Sequence, residues 1–164
     1  MTELDKAWVA GLVDGEGSLA LKRQIRKDVY ITNYQVWVTV GMSERPENRG
    51  ALEWLHKHYG GSLGVQKRKG AEAHRRDKIA WTVVSQDGLR FLKDVQPYLR
   101  IKKEQARLLI DFQENWKSRF GMKRDPVKKL KHEWFFYQLR ELNTKGKLRL
   151  QRLSEKTLTR EATV

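Results

Sequence analysis

Polar and apolar residues alternate along Ser18–Arg26, with Leu19, Leu21 and Ile25 on one side and Lys22, Gln24 and Arg26 on the other. A period of two is what a strand with one buried face requires. Lys27-Asp28 begins a turn, and Asn33 to Val40 resumes the alternation by setting Tyr34, Val36, Val38 and Val40 against Gln35, Trp37 and Thr39. The two runs predict a hairpin. After Pro46 the spacing changes to helical, with Leu52, Leu55 and Tyr59 inward and Gly60-Gly61 closing the helix. Leu63–Lys69 and Lys78–Val84 predict a second hairpin, joined by a basic loop from Arg68-Lys69-Gly70 to Arg75-Arg76. A helix over Gln86–Val95 follows, with Leu89 and Leu92 inward and Pro97 stopping it. Further on, Asp125-Pro126 resembles a helix start. Val127, Leu130, Trp134, Tyr137 and Leu142 then suggest an amphipathic helix ending near Asn143. Beyond a basic turn at Lys145-Gly146-Lys147, Leu150–Leu153 predicts a last short helix, and Glu161–Val164 is expected to fray.

The amino-terminal stretch is also helical, and its face is unusual. Thr2 with Asp5 three residues later predicts a capping box, and Leu4, Trp8, Leu12 and Val13 recur at helical spacing from a start near Glu3. Ala7, Gly11 and Gly15 lie four apart on one stripe, where the missing side chains let a second backbone approach closely. Glycine inside a helix costs about 1 kcal/mol relative to alanine, so the stripe predicts a close helix–helix interface. A helix buried within its own domain would use the same stripe. At the end of this helix, Asp14 and Glu16 stand about 200° apart around the axis and cannot share one metal while both are helical. Gly15 and Gly17 suggest that the helix ends here, where unpaired carbonyls beside a carboxylate can form an oxygen site for a hard divalent cation. Glu16 with the Gly15 carbonyl is the candidate, and Asp14 is expected to bind backbone groups at the helix end. A solvated turn is the other reading of Asp-Gly-Glu-Gly.

Composition favours the first of these readings. Thirty-four Lys plus Arg against 20 Asp plus Glu give a formal charge of +14, pI is about 10.1, and six Trp, five Tyr and five Phe accompany them. That balance points to a polyanionic partner. With 39% hydrophobic residues in 164 positions, the chain holds enough for one compact core and an appendage. No signal peptide and no apolar run near the 18 residues of a spanning helix is visible, which argues against a membrane role. The absence of cysteine excludes disulfides, zinc-finger ligand sets and thiol nucleophiles, and the expectation is an intracellular protein.

The segment Val9-Ala10-Gly11-Leu12-Val13-Asp14-Gly15-Glu16-Gly17 resembles the signature of the LAGLIDADG homing endonucleases, with Val at the leading Leu and Glu at the second acid. The order helix, two strands, helix, two strands, helix matches that family's αββαββα unit. Gln96-Pro97-Tyr98-Leu99-Arg100-Ile101-Lys102-Lys103-Glu104-Gln105-Ala106 is similar to its element entering the last core helix. The resemblance implies an α+β fold: an αββαββα core over residues 1–116 with a four-stranded antiparallel DNA-binding sheet, then a helical extension over 117–164. It implies phosphodiester hydrolysis at a long DNA site, a metal-dependent double-strand break with short 3′ overhangs. Mg²⁺ or Mn²⁺ would be held by Glu16 and Gly15, with Ca²⁺ able to bind without supporting cleavage. Lys102 matches a basic residue beside the scissile phosphate, and Glu44 falls at a polar position that helps hold a water. Asn48 falls where a basic side chain is common, with Arg49 beside it, which leaves open which of the two serves the site. One motif copy implies a homodimer, with Ala7, Gly11 and Gly15 packed against their symmetry mates and a nearly palindromic target.

A β-ribbon with an outward polar face fits a DNA major groove, where Lys, Arg, Gln and Asn can bond base edges. The base-reading candidates are Lys22, Gln24, Arg26, Asn33, Gln35, Gln66 and Arg68, and the phosphate candidates are Lys27, Lys69, Arg75 and Arg76. An ordinary solvated face is the competing reading, since a register error of one residue exchanges the two faces. Trp81 is placed near the DNA. Trp37 is left open between stacking, thymine-methyl contact and packing against the helices. Two other functions use the same fold: an RNA-binding intron-splicing maturase, and a cleavage-incompetent DNA-binding regulator. The intact Asp14-Gly15-Glu16 with Lys102 favours the nuclease over both.

Overall fold

The computed structural model describes residues 1–26, 31–116 and 126–144, with the backbone alone at 25, 26, 31, 32 and 71. Helix α1 (Glu3–Glu16) begins at the expected capping box: the Thr2 hydroxyl accepts from the Asp5 N–H at 3.1 Å, and the Asp5 carboxylate accepts from the Thr2 N–H at 2.7 Å. Strand β1 (Gly17–Arg26) pairs antiparallel with β2 (Ile31–Ser43), Gly17 opposite Val40 and Gln24 opposite Asn33. Helix α2 (Pro46–Tyr59) leads to β3 (Ser62–Gln66), which ends earlier than the apolar pattern suggested, and then to β4 (Lys78–Val84). The sheet order is β1-β2-β4-β3, all antiparallel, so β2 and β4 are central. Helices α3 (Ser85–Val95), α4 (Lys103–Asp111) and α5 (Pro126–Leu142) follow, with short helical turns at Gly70–Glu72, Gln96–Tyr98 and Phe112–Trp116.

The helices pack on one face of the sheet, making a two-layer α+β molecule. Alternation decides which side chains they cover. Leu19 and Leu21 of β1, Tyr34, Val36, Val38 and Val40 of β2, and Ile79, Trp81 and Val83 of β4 are all buried. Trp81 therefore does not lie on the outer sheet face, which corrects the sequence reading that placed it near the DNA. It shares a phase with Ile79 and Val83, packs against Tyr59 and Phe91, and donates its indole N–H to the Gly60 carbonyl at 2.8 Å. A single-residue difference in phase separates core from surface on a strand. Gly61, at φ 83°, passes so close to the Thr82 carbonyl that a Cβ would collide with it, which fixes glycine there.

Two amphipathic faces also differ from expectation. On α1 the buried residues are Val9, Ala10 and Val13, while Leu4 and Trp8 are exposed. On α5 they are His132, Phe135 and Leu139, while Val127, Leu130, Trp134 and Tyr137 are exposed. Phe135 and Leu139 join the same core as the sheet residues, and the Asn143 amide donates to the Leu19 carbonyl at 2.8 Å, so α5 rests against β1. The turn at Lys145–Lys147, the short helix at Leu150–Leu153, the end at Glu161–Val164 and Lys27 lie outside the described residues.

Candidate functional site

The end of α1 is locked by an exchange of charges with the segment entering α4. The Asp14 carboxylate accepts three backbone N–H groups, from Arg100 at 2.7 Å, Lys102 at 2.9 Å and Ile101 at 3.1 Å. Burial works to raise its pKa, but these three bonds and the Lys102 charge outweigh it and hold Asp14 below the usual carboxylate value. In return, the Lys102 ammonium donates to the Val13 carbonyl at 3.0 Å and to the Asp14 carbonyl. An acid thus sits at the amino-terminal end of α4 and a cation at the carboxy-terminal end of α1, the favourable sign in both cases. Asp14 was expected to bind its own helix end; the backbone groups it binds belong to the 100–102 turn.

This lock leaves Glu16 and Gly15 exposed beside it. Ala7 and Gly11 are exposed on the same stripe, and a Cβ built on Gly11 or Gly15 would meet nothing within 4 Å. The stripe is therefore not packed against any of the described residues. It borders a groove of about 560 Å³ lined by Ala7, Gly11, Asp14, Pro97, Leu99 and Lys103 among others. Among the described residues no three His, Asp or Glu side chains converge as a metal-binding group. Among the described residues at the end of α1, Asp14 is committed to the 100–102 turn, which leaves the Glu16 carboxylate exposed beside the helix-end carbonyls.

Glu44 and Arg49 meet at the junction of β2 and α2. Arg49 grips one Glu44 oxygen with two nitrogens, at 2.5 and 2.7 Å, and reaches Glu53 at 3.7 Å. Asn48 instead donates to the Ser43 carbonyl at 2.8 Å, closing the end of β2. The second Glu44 oxygen is buried with no hydrogen-bond partner among the described residues. Gly17 pairs with Val40, so Glu44 lies four residues, or roughly 13 Å of strand, beyond that pairing.

The sheet face away from the helices is polar and cross-linked. Lys22, Gln24, Asn33, Gln35 and Gln66 lie on it, as the alternation predicted, and Trp37 joins them. The Lys22 ammonium stands 3.4 Å from the centre of the Trp37 ring, whose indole N–H donates to Thr39 at 2.9 Å; Thr39 is in turn 3.1 Å from the Thr82 hydroxyl. Gln24 donates to Gln35 at 3.0 Å, and Gln35 donates to Ser85 at 3.1 Å. The sequence leaves Trp37 open between stacking, thymine-methyl contact and packing against the helices, and Thr39, Thr82 and Ser85 were not among the candidate residues. Strand parity with Gln35 marks Trp37 and Thr39, whereas nothing in the local pattern marks Ser85. Arg68 lies past the end of β3, with its N–H on Asp77 at 2.9 Å and its guanidinium 2.7 Å from Glu72; Arg75 is 3.2 Å from the same Glu72. Lys69, Arg75 and Arg76 are exposed around that loop, and Arg26 is placed by its backbone, opposite Ile31.

Solved structures similar to this chain include homing endonucleases in complex with DNA. The homing endonuclease I-CvuI, in complex with its target in the presence of 2 mM Ca, superposes with a TM-score of 0.66 at 23% identity, over 88% of this chain and 85% of its own. The archaeal intron-encoded homing endonuclease I-Vdi141I, complexed with DNA, gives 0.65 at 16% identity, over 88% and 87%. The LAGLIDADG homing endonuclease I-GzeII, in complex with its DNA target, gives 0.53 at 14%, over 87% of this chain but 45% of its own. The chain has the homing-endonuclease fold. No protein-family model and no curated protein matches its sequence. No helix among the described residues is long and apolar enough to cross a membrane.

Proposed function

We propose that this chain is a site-specific DNA endonuclease that acts as a homodimer and makes a metal-dependent double-strand break at a long, nearly palindromic site. The observation that carries this reading is an α1 whose small-residue stripe is exposed along Ala7, Gly11 and Gly15 and ends at an exposed Glu16. Two copies packed stripe to stripe would bring two Glu16 carboxylates together. That supplies the donors a single chain lacks, and an isologous contact reads a two-fold target. Carboxylate and carbonyl oxygens are hard donors that suit Mg²⁺ or Mn²⁺, so Glu16 and the Gly15 carbonyl are the residues to hold it. When bound, the ion supplies positive charge against the charge developing on the phosphate oxygens.

The remaining residues orient and exclude. Asp14 and Lys102 clamp the α1 end to the 100–102 turn and so fix where Glu16 points, and Lys102 places its positive charge beside the scissile phosphate. Glu44, gripped by Arg49 and with one oxygen unpartnered among the described residues, is suited to holding a water. The outer sheet face lies in the major groove, with Lys22, Gln24, Arg26, Asn33, Gln35 and Gln66 at base edges and Lys69, Arg75 and Arg76 on phosphates. Residues 1–116 form the nuclease core, and α5 with the rest of 117–164 extends it.

Incubation with a randomised duplex library and Mg²⁺, followed by sequencing of the ends produced, tests the reading. Recurrent breaks with short 3′ overhangs at the centre of a nearly palindromic site are expected. Enrichment of intact duplexes without ends would identify a regulator, and retention of structured RNA alone would identify a splicing cofactor.

A further inference from the structure

Between Val65 and Asp77 the sequence sets Lys67, Arg68, Lys69, Arg75 and Arg76 against one acid, Glu72. A carboxylate among cations that face a polyanion works against affinity, since it repels the phosphates its neighbours attract. What Glu72 touches gives it a different use. One of its oxygens accepts from Arg68 Nη1 at 2.7 Å and the other from Arg75 Nη1 at 3.2 Å, so a single carboxylate holds two arginines. Arg68 is also held at its other end, where its backbone N–H donates to the Asp77 carboxylate at 2.9 Å. Chemistry fixes the direction of these bonds, because a guanidinium only donates and an ionised carboxylate only accepts. Arg68 and Glu72 line one groove, of about 680 Å³, together with Gln66 of the outer sheet face. The pair therefore borders that face.

We propose that Glu72 is a positioning residue for specificity: it keeps Arg68 on a base edge, as a reader of guanine, and away from the phosphates. This rests on the reading of the sheet as a DNA-binding surface. An arginine left to itself beside DNA finds phosphates on every sequence, and such a contact adds affinity without selecting. Arg68 is gripped by Glu72 at one nitrogen, anchored by Asp77 at its backbone and only 33% exposed along its side chain, which takes that reach away. Its guanidinium keeps N–H groups on both terminal nitrogens, and a pair of guanidinium donors is what meets O6 and N7 of guanine in the major groove. The shared carboxylate also weakens the pull of Arg75 on phosphate. Glu72 thus lowers affinity for every duplex and raises the preference among them.

That opposition separates positioning from a structural role. Glu72→Gln keeps the shape and removes the charge, and Glu72→Ala removes the acceptor as well; the side chain is half-exposed, so neither opens the core. Binding selection from the randomised duplex library, with the full chain in each case, reads the outcome base by base, and titration of one unselected duplex against salt reads the charge. Wild type should prefer guanine at one position of each half-site by roughly 5- to 150-fold, the range of a good bidentate pair. Arg68→Ala should lose that preference and keep the others. Both Glu72 variants should lose it at the same position while binding the unselected duplex more tightly, with a salt slope steeper by about one unit for each half-site. A residue that merely braced the loop would lower affinity when replaced. Either Glu72 variant retaining the guanine preference at wild-type strength would overturn the proposal, as would uniformly weaker binding of all duplexes. Selection of no duplex by wild type would instead overturn the DNA-binding reading beneath it.

Discussion

His132 shows how much a single buried polar residue constrains this molecule. It is nearly inaccessible, wedged edge-on against Phe112 and Tyr34, with one ring nitrogen on the Trp116 carbonyl at 2.5 Å and the other without a partner among the described residues. Burial pushes its pKa below the ordinary histidine value, and the Lys128 charge adds to the effect against the opposing bond to Trp116. Protonation would place a proton on a nitrogen that has no acceptor among the described residues. With the folded pKa depressed below about 6.5, the folded state binds fewer protons than the unfolded state as the medium acidifies. The stability that His132 contributes is therefore complete above that value and lost as pH falls through the folded pKa. Thermal melts should show a lower midpoint at pH 5 than at pH 7.5, and His132→Gln should shrink that difference; an unchanged difference would exclude His132 as its source. Sequence showed none of this, because a lone His on an apolar helix carries no mark of what covers it. Trp81 misled for a related reason: aromatic content suggested a nucleic-acid contact, while its phase with Ile79 and Val83 put it in the core. Glu16 and Asp14 were better separated, since two residues at that spacing must point apart on a helix.

At the scale of the element, periodicity located nearly every helix and strand but twice chose the wrong helical face. On α1, Leu4 and Trp8 are large and apolar, yet the smaller Val9, Ala10 and Val13 face the sheet. Large apolar residues on both sides of a helix leave its orientation undetermined, and packing decides it. The same holds for α5, where Phe135 and Leu139 won over Leu130 and Trp134. The outer α1 face acquires a reason if a second copy covers it, because Leu4 and Trp8 flank the stripe of Ala7, Gly11 and Gly15. Gly11→Leu tests that directly. Its Cβ would meet nothing within 4 Å inside one chain, and leucine favours a helix over glycine by about 0.8 kcal/mol. The variant should fold at least as well as wild type and sediment as a monomer. A variant that sediments as the wild-type dimer would show that the stripe faces elsewhere.

For the whole molecule, a formal charge of +14 and a two-layer fold with one polar sheet face describe a surface built for a polyanion. Doubling the chain doubles that charge, so association with DNA should weaken steeply with salt. The fold was legible because alternation, turn residues and the Asp14–Glu16 motif all pointed to one arrangement. The Asp14–Lys102 lock was not, since it joins positions 88 residues apart. The same is true of the hydrogen bonds from Gln24 to Gln35 and from Gln35 to Ser85, which depend on strand register. In the proposed reading, catalysis and binding also separate at this scale. Glu16 is exposed at the end of α1, remote from the sheet residues that would read bases, so its charge can be removed without disturbing them. Glu16→Gln, compared with wild type for binding and for Mg²⁺-dependent cleavage of a duplex chosen by the wild-type protein, is the most direct measurement. Unchanged binding with cleavage abolished is the predicted result, and cleavage at the wild-type rate by Glu16→Gln would contradict it.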